Sequence, residues 1–249
     1  MDSVKYKRAF LKLSGEAIAK KDENGNVIEI FDDEIINGLA EDVCECFDHG
    51  TGLGIMLGAG NIWRGKYGKE MVRAKADHMG MLATTINCLR FQDAIQKKGR
   101  DAVVMTAVEM NSFTEPFSYE RAVAYIEAGR PVIFGCGVGM PYVSTDTAGV
   151  VRALEIGADV ILMAKNVDGV YSADPGKDPA AKRYKVVSYK ECLDKELRAT
   201  DISASAIARE QGIDMLVFSL KEKGSILRAV KGENVGTLVT AEEVPAEMY

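Results

Sequence analysis

Short apolar segments alternate with helical patterns along most of this 249-residue chain, and this alternation constrains the fold more than any other feature. The first segment, residues 9–13, precedes a helical pattern over 33–49 in which Ile35, Leu39 and Val43 recur every four residues. Further strands are predicted at 53–57, 102–106, 131–134, 160–163, 215–218 and near Leu238, and further helices at 77–98, 119–128, 145–156 and after Asp201 and Ser225. This alternation predicts an α/β fold, a mostly parallel sheet with helices on both faces, formed by residues 1–249 as one domain.

Two segments break the regular pattern. Residues 20–30 contain Asn24-Gly25 and predict a hairpin, whereas 172–182 reads as a turn-rich loop. Ser188 and Glu191 have the spacing of a helix capping box.

Composition limits the classes of partner. The chain is 47% hydrophobic, has a net charge of −6 and has no apolar run long enough to span a membrane. An acidic chain disfavours a broad surface for nucleic acid, so we expect neither a nucleic-acid nor a membrane partner. Five scattered cysteines without a C-x-x-C pair suit reduced thiols, and no zinc site is expected. We expect a cytoplasmic protein.

Glycine-rich and polar clusters follow four of the predicted strands. They are Ser14-Gly15 and the segments 58–65, 135–146 and 165–174. Because the carboxyl ends of parallel strands meet at one edge of a sheet, these clusters are predicted to line one crevice.

The first two clusters suit phosphate binding, although the chain lacks the G-x-x-x-x-G-K-[ST] motif. Lys12 lies next to the end of the predicted strand 9–13, and the small residues Ser14 and Gly15 follow the strand, so that backbone N–H groups can approach phosphate oxygens. The alternative is a lysine beside a purely structural turn. In 58–65, Arg64 adds a side chain suited to bidentate phosphate contact.

The third cluster places three glycines at alternate positions after a buried strand. We expect these glycines to have no packing role and to make room for a ligand or a sharp bend. Ser144, Thr145 and Asp146 then begin a helix, where N–H groups favour an anion, although they can also simply cap it. Asp146 would repel a phosphate unless Mg²⁺ or a lysine intervenes. Asp77 is interpreted either as a helix N-cap or as an acceptor for ribose hydroxyls.

Four motifs, in this order, resemble those of bacterial uridylate kinases of the amino acid kinase family. They are Lys-Leu-Ser-Gly-Glu-Ala at 12–17, Asp-His-Met-Gly-Met-Leu-Ala-Thr at 77–84, Ser-Thr-Asp at 144–146 and Val-Asp-Gly-Val-Tyr-Ser-Ala-Asp-Pro at 167–175. The resemblance covers about residues 7 to 240. It implies a central, mostly parallel sheet of about eight strands between helical layers, a homohexamer, ATP with Mg²⁺ as donor and UMP as acceptor.

The resemblance also implies roles for individual residues. Lys12, Leu13, Ser14 and Gly15 would hold the transferring phosphate, with Gly60 and Arg64 also on the ATP side. Asn166, Tyr171 and Asp174 would hold the adenosine part. UMP would be surrounded by Ala59, Asp77, Val138, Gly139, Met140, Pro141, Tyr142, Val143, Ser144 and Thr145. Asp146 and Asp201 would order the lysines and the magnesium-bound phosphates, with Lys165 as a further neutralising charge. No residue is implied as a direct metal ligand.

The chain departs from the family pattern at several positions. Ala59 replaces the middle glycine of a triplet, Val138 and Met140 replace a threonine and an asparagine, and the segment 20–30 differs from one tied to activation by GTP. Two alternatives stay open. One is a kinase of the same fold that acts on a carboxylate, carbamate or amino acid, and the other is a non-catalytic nucleotide-binding regulator or storage protein.

Overall fold

The protein is described by a computed structural model that covers residues 4–63, 68, 70–165, 167–197 and 200–249. Over these residues twelve strands are present: β1 Arg8–Leu13, β2 Lys20–Lys21, β3 Val27–Glu29, β4 Gly52–Leu57, β5 Val103–Thr106, β6 Glu115–Pro116, β7 Val132–Gly135, β8 Val160–Lys165, β9 Tyr184–Ser188, β10 Met215–Ser219, β11 Gly236–Thr240 and β12 Glu247–Met248. The helices of the same residues are α1 Asp33–Asp48, α2 Arg73–Lys97, α3 Tyr119–Glu127, α4 Thr145–Glu155, α5 Tyr189–Asp194, α6 Ile202–Gln211 and α7 Ser225–Val230, with a short 3₁₀ turn at Gly15–Ala17.

Ten of these strands form one twisted sheet in the order β12-β9-β11-β10-β8-β1-β4-β7-β5-β6. The pairs β10–β11 and β12–β9 are antiparallel, and the other pairs are parallel. Strand β1 lies between β4 and β8, and Leu13 pairs with Leu57 on one side and Ala164 on the other. The carboxyl ends of these three strands therefore reach the same edge.

Two hydrophobic cores lie on the two faces of the sheet. Leu11 and Leu13 of β1 belong to the core shared with α1, α2 and α7. Phe10, which precedes Leu11 and points to the other face in the period-two pattern, belongs to the core shared with α3 to α6. Lys12 therefore shares the face of Phe10, and the β-carbon that Gly149 of α4 lacks would lie 3.5 Å from the Lys12 Cγ.

The α/β class, the parallel sheet and the helices on both faces are confirmed. Over the described residues the sheet has ten strands, more than the about eight that the resemblance implied. Seven of the ten were predicted from the sequence, whereas β9 and the short edge strands β6 and β12 were not. The hairpin at 20–30 is confirmed as β2 and β3, with Gly25 at φ +79° in its turn. The predicted cap is confirmed too, because the Ser188 hydroxyl accepts from the Glu191 N–H at the start of α5.

Helix α2 differs most from its prediction. It begins at Arg73 instead of 77, after Val72, whose side chain makes no capping hydrogen bond. Asp77 thus lies in the second turn, and its interpretation as an N-cap is wrong. Met79, Leu82 and Ile86 share a helix face, as expected from their spacing, but they are 39%, 54% and 47% exposed. Among the described residues no helix combines the length and apolar character that crossing a bilayer requires.

Helices α1 and α7 meet at a buried carboxylate. The Gly224 N–H at the start of α7 donates to Asp42 of α1 at 3.1 Å, and Asp42 is only 4% exposed. Burial, together with the nearby negative charge of Glu45, raises the pKa of Asp42 to about 6. The folded state therefore holds this proton more tightly than the unfolded chain. The stability that Asp42 contributes is present at acidic pH and is lost as the pH rises through about 6.

We expect Asp42→Asn to raise the free energy of unfolding by about 1–2 kcal/mol at pH 7.5 and to change it little at pH 4.5. Asparagine keeps an oxygen for the Gly224 N–H and needs no ionisation. Urea unfolding at both pH values measures the difference. Asp93→Asn, at an exposed carboxylate paired with Lys97, is the matched control and should show no such pH dependence. An equal gain at both pH values would contradict the assignment to ionisation.

Candidate functional site

Two lysines and a carboxylate meet at the carboxyl edge of the sheet. The Lys12 Nζ, at the end of β1, forms an ion pair with Asp146 Oδ1 in the first turn of α4. The Lys165 Nζ, from the last residue of β8, lies 3.7 Å from Asp146 Oδ2. The Thr200 hydroxyl donates to the same Oδ2 at 3.0 Å. We call Lys12, Lys165 and Asp146 the lysine cluster.

The lysine cluster carries a net positive charge in a partly buried place. Burial alone would raise the pKa of Asp146, but Lys12 and Lys165 hold that pKa below its ordinary value. Burial lowers the pKa of Lys165, and the negative charge of Asp146 opposes this shift. Two cations around one anion leave an excess positive charge, which suits a multiply charged anionic ligand.

The N-termini of α4 and α6, beside the lysine cluster, are joined by hydrogen bonds. Ser144 is the N-cap of α4 and accepts from the N–H groups of Asp146 and Thr147 at 3.1 and 3.0 Å. Asp201 caps α6 by accepting from the Ala204 N–H at 2.8 Å. The hydroxyls of Ser144 and Thr147 also donate to Asp201. The predicted helix start at Ser144 is confirmed, and Asp201 reaches α4 through hydroxyl groups.

The turn after β1 packs closely against the glycine segment after β4. A β-carbon on Gly15 would lie 2.6 Å from the Gly58 oxygen and 2.7 Å from the Gly60 nitrogen, so no other residue fits there without movement. The Ser14 Oγ is buried and has no hydrogen-bond partner among the described residues. A buried hydroxyl without a partner is costly, and an added ligand oxygen would remove that cost.

Two buried side-chain amides form hydrogen bonds that hold the glycine segment after β4 against α2. Asn87, fully buried in α2, donates to the Gly58 oxygen at 2.7 Å and to Asn61 Oδ1 at 2.8 Å. Asn61 donates in return to Asn87 Oδ1 at 3.0 Å and to the Ile30 carbonyl at 2.7 Å. We call Asn61 and Asn87 the amide pair.

An open pocket of about 200 Å³ lies next to this edge. It is bounded by the glycine segment, the first half of α2 and the segment before α4. Its lining residues are Ala59, Gly60, Trp63, Ala76, Asp77, Gly80, Met81, Thr84, Cys136, Gly137, Val138, Met140, Val143 and Thr145. Of the residues assigned to the acceptor by resemblance, Ala59, Asp77, Val138, Met140, Val143 and Thr145 line it. The other four, Gly139, Pro141, Tyr142 and Ser144, belong to the same segment but not to the lining.

Gly135 ends β7, Gly137 and Gly139 lie in the segment between β7 and α4, and glycine is favoured at these positions for different structural reasons. At Gly135 a β-carbon would lie 2.9 Å from Thr106 Cγ2, so close packing requires glycine there. Gly137 and Gly139 have φ of +57° and +76°, which confirms the expected sharp bend. The expectation that all three lack a packing role is therefore wrong for Gly135.

Asp77, on α2, connects this helix to the segment before α4 through a hydrogen bond. It accepts from Arg73 Nε at 2.9 Å and from the Tyr142 N–H at 2.9 Å, and its side chain is 19% exposed. Tyr142 has φ of +69°, an unfavourable backbone conformation for a non-glycine residue, and the Arg73 guanidinium lies 5.6 Å from the centre of its ring.

The residues predicted for adenosine lie on the segment after β8. The Tyr171 hydroxyl donates to Asp168 at 2.8 Å, and Asp174 is an exposed carboxylate that accepts from the Gly176 N–H at 3.0 Å. Within the described ranges neither forms a hydrogen bond or ion pair with Lys12, Asp146 or Asp201. Arg64 and Asn166, two further predicted residues, lie outside the described residues.

Sequence reasoning missed five side chains that shape the site: Thr147, Thr200, Asn61, Asn87 and Arg73. A signal was available for Asn87, because it is a polar residue at helical spacing from the buried Thr84 and Phe91. Thr147 lies in the first turn of a predicted helix, where hydroxyls are common. The contacts of Thr200 span 54 positions and leave no local signal.

The described ranges contain no group of three or more histidine, cysteine, aspartate or glutamate side chains placed to hold a metal ion. The carboxylates near the crevice, Asp146 and Asp201, are held instead by lysines, hydroxyls and an N–H group.

The fold and the site together define the class of α/β proteins that bind an anionic ligand at the carboxyl edge of a mostly parallel sheet. Lysines, helix starts and glycine turns from β1, β4, β8 and α4 supply the positive field. The chain belongs to the amino acid kinase family, whose model matches residues 7–219.

Solved structures similar to this chain carry more specific names. A UMP kinase from Bacillus anthracis is 35% identical, with a TM-score of 0.91 over 98% of this chain and 99% of that one. A UMP kinase from Ureaplasma parvum is 34% identical, with a TM-score of 0.87 over 94% and 98%. A uridylate kinase from Archaeoglobus fulgidus is 27% identical, with a TM-score of 0.72 over 93% and 99%.

Proposed function

We propose that this protein is a UMP kinase, which transfers the γ-phosphate of ATP to UMP and yields ADP and UDP. The observation that carries the proposal is the lysine cluster at the edge of the pocket, where Lys12 and Lys165 share Asp146. The choice of UMP as acceptor is supported by the two UMP kinases that are 35% and 34% identical to almost the whole chain.

In the proposed reaction an oxygen of the UMP phosphate forms a bond to the γ-phosphorus of ATP. The bond from that phosphorus to the β,γ-bridging oxygen breaks, and ADP leaves with its electron pair. The attacking group is already an anion, so no general base is needed. Catalysis then depends on alignment and on neutralising charge, which is what Lys12, Lys165 and nearby backbone N–H groups offer.

The donor side suits ATP. The Ser14 Oγ, which has no hydrogen-bond partner in the described ranges, and the glycine contact at Gly15 leave a place where phosphate oxygens can approach the chain. The carboxylates of Asp146 and Asp201 are already paired with side chains of the protein and do not form a metal site. The residues present therefore suit Mg²⁺ that is held chiefly by the nucleotide phosphates. When bound, Mg²⁺ would withdraw charge from the β- and γ-phosphate oxygens. Gly60 borders this side, and Tyr171 and Asp174 are proposed for adenosine.

The acceptor would occupy the pocket of about 200 Å³ beside the cluster. Asp77 would accept ribose hydroxyls with the lone pairs that Arg73 and the Tyr142 N–H leave available. Val138 and Met140 would provide apolar contact where the family has polar side chains.

We further propose that the enzyme acts in pyrimidine nucleotide biosynthesis in the cytoplasm and assembles as a homohexamer. Exposed apolar side chains on α2, namely Met79, Leu82 and Ile86, support self-association. Analytical ultracentrifugation with Leu82→Lys tests the assembly, and we expect that variant to sediment as a smaller species.

ADP release with ATP and Mg²⁺ tests the activity against UMP, CMP, carbamate and aspartate. We expect the largest kcat/KM with UMP. Preferred turnover of carbamate or aspartate would replace the proposal by another kinase of the same fold. Tight nucleotide binding without ADP release from any acceptor would favour a non-catalytic regulator.

A further inference from the structure

The amide pair fixes the direction of one peptide group at the edge of the pocket. The Gly58 carbonyl points into α2, because the Asn87 amide donates to it at 2.7 Å. The described residues contain no cis peptide bond, and in a trans peptide the carbonyl and the following N–H point in opposite directions. The Ala59 N–H is therefore turned away from the α2 core.

The Ala59 N–H also lacks a hydrogen-bond partner among the described residues. It donates no hydrogen bond to any residue in the described ranges, whereas the neighbouring Gly58 N–H donates to Leu13 at 2.8 Å. Ala59 lines the pocket, and a β-carbon on Gly58 would lie 3.4 Å from the hydroxyl of Thr145. A backbone donor is thus held at the pocket without an acceptor from the described protein.

Holding the Ala59 N–H in this direction requires a buried polar side chain, which lowers stability and which the packing of the core does not need. Asn87 is 0% exposed and occupies a place in α2 where an apolar side chain would add packing. The hydrogen bonds that its side chain forms with described residues all reach the glycine segment. One goes to the Gly58 oxygen and the others to Asn61, which is itself 7% exposed. A reciprocal amide pair fixes both side-chain orientations, because each amide can satisfy the other in one arrangement only.

We propose that Asn87, together with Asn61, is a positioning residue that aims the Ala59 N–H at an oxygen of the acceptor phosphate. This inference rests on the proposed function, because it assigns the pocket beside Ala59 to a phosphate-bearing acceptor. Asn87 does not touch the acceptor. It acts through the Gly58–Ala59 peptide, which becomes free to rotate once the carbonyl has lost its donor.

Asn87→Leu tests the inference, because leucine has a similar volume and no donor. Gln92→Met is the matched control. Gln92 lies on the same helix and donates its amide to another backbone carbonyl, that of Ala102, at 2.8 Å, away from the pocket. We expect Asn87→Leu to raise the Kd of UMP, measured by calorimetry, by about tenfold and to lower kcat/KM for UMP by a similar factor. The KM for ATP should stay within about twofold in both variants.

A second variant keeps the test decisive if Asn87→Leu does not fold. Replacing Ala59 by lactic acid through stop-codon suppression turns its N–H into an ester oxygen and leaves Asn87 intact. We expect the same loss of UMP affinity, and almost no further loss when Asn87→Leu is added, because both changes remove one interaction. A Kd for UMP within twofold of wild type in the lactic acid variant would overturn the inference.

The inference and the proposed function can fail separately. Binding of inorganic phosphate, followed by ³¹P NMR, needs no turnover. A wild-type protein that does not phosphorylate UMP would overturn the proposed function. The assignment of Asn87 would still stand if Asn87→Leu weakens phosphate binding by about tenfold relative to Gln92→Met, and would fall if the two variants bind phosphate equally.

Discussion

Replacing Lys12 by alanine is expected to lower kcat for UMP phosphorylation by about a thousandfold or more. Lys12 is 7% exposed, so its charge acts in a partly desolvated place, where electrostatic stabilisation of transferring phosphate is strongest. Because that charge matters most as negative charge shifts to the bridging oxygen, kcat and kcat/KM should fall together.

Lys12 and Asp146 form a largely buried ion pair, so the effect of a substitution on catalysis must be separated from its effect on stability. Removing one partner of a buried ion pair leaves the other uncompensated and can destabilise the fold by about 3–5 kcal/mol. Lys12→Met keeps most of the volume, and Lys12→Met combined with Asp146→Asn leaves no uncompensated carboxylate. Lys12→Ala, Lys12→Met and the double variant should all be inactive. The double variant should unfold at a higher temperature than Lys12→Met.

Lys97→Ala is the matched control, because Lys97 also pairs with an aspartate, Asp93, but is exposed on α2. It should keep wild-type kcat. A folded Lys12→Met protein with more than about a tenth of the wild-type kcat would contradict the role of Lys12, since a loss that small is below the range typical of such groups.

The elements with strong local signals were predictable from the sequence. Helix α1 has an aspartate cap at Asp32, apolar residues at helical spacing and Gly50 after its end, and its predicted and observed limits differ by one residue. The start of α2 has no side-chain cap at Val72, so its first turn was missed. Strands β6 and β12, each two residues long, are stabilised by pairing with β5 and β9 rather than by local propensity.

The candidate site was predictable as a set of strand ends but not as a set of contacts. The glycine and polar clusters after β1, β4, β7 and β8 showed where a crevice would form. The β1–β8 register brings Lys165 beside Lys12, and the packing of α4 over β1 brings Asp146 to both lysines; no local pattern encodes either arrangement. The amide pair joins residues 26 positions apart on a turn and on a helix, so its geometry required the structure.

Asp146→Asn is expected to lower kcat by about a hundredfold and to move the basic limb of the pH–rate profile to lower pH. In the wild type, burial lowers the pKa of Lys165, and Asp146 partly opposes that shift. Without the Asp146 carboxylate, burial and the positive charge of Lys12 still lower the pKa of Lys165, and the remaining negative charge, that of Asp201, has a smaller effect than Asp146 had. The pKa of Lys165 must then fall further, so its charge is lost at a lower pH than in the wild type.

The measurement is kcat at saturating ATP and UMP between pH 6 and 10, with the unfolding temperature recorded at each pH. The basic limb should move down by about one pH unit, because losing one close charge partner changes a pKa by at least that much. Glu127→Gln serves as control, since it removes a carboxylate paired with Arg8 at the opposite edge of the sheet. A basic limb that stays in place or moves to higher pH would show that Asp146 does not sustain the charge of Lys165. The lysine cluster would then have to act through Lys12 alone.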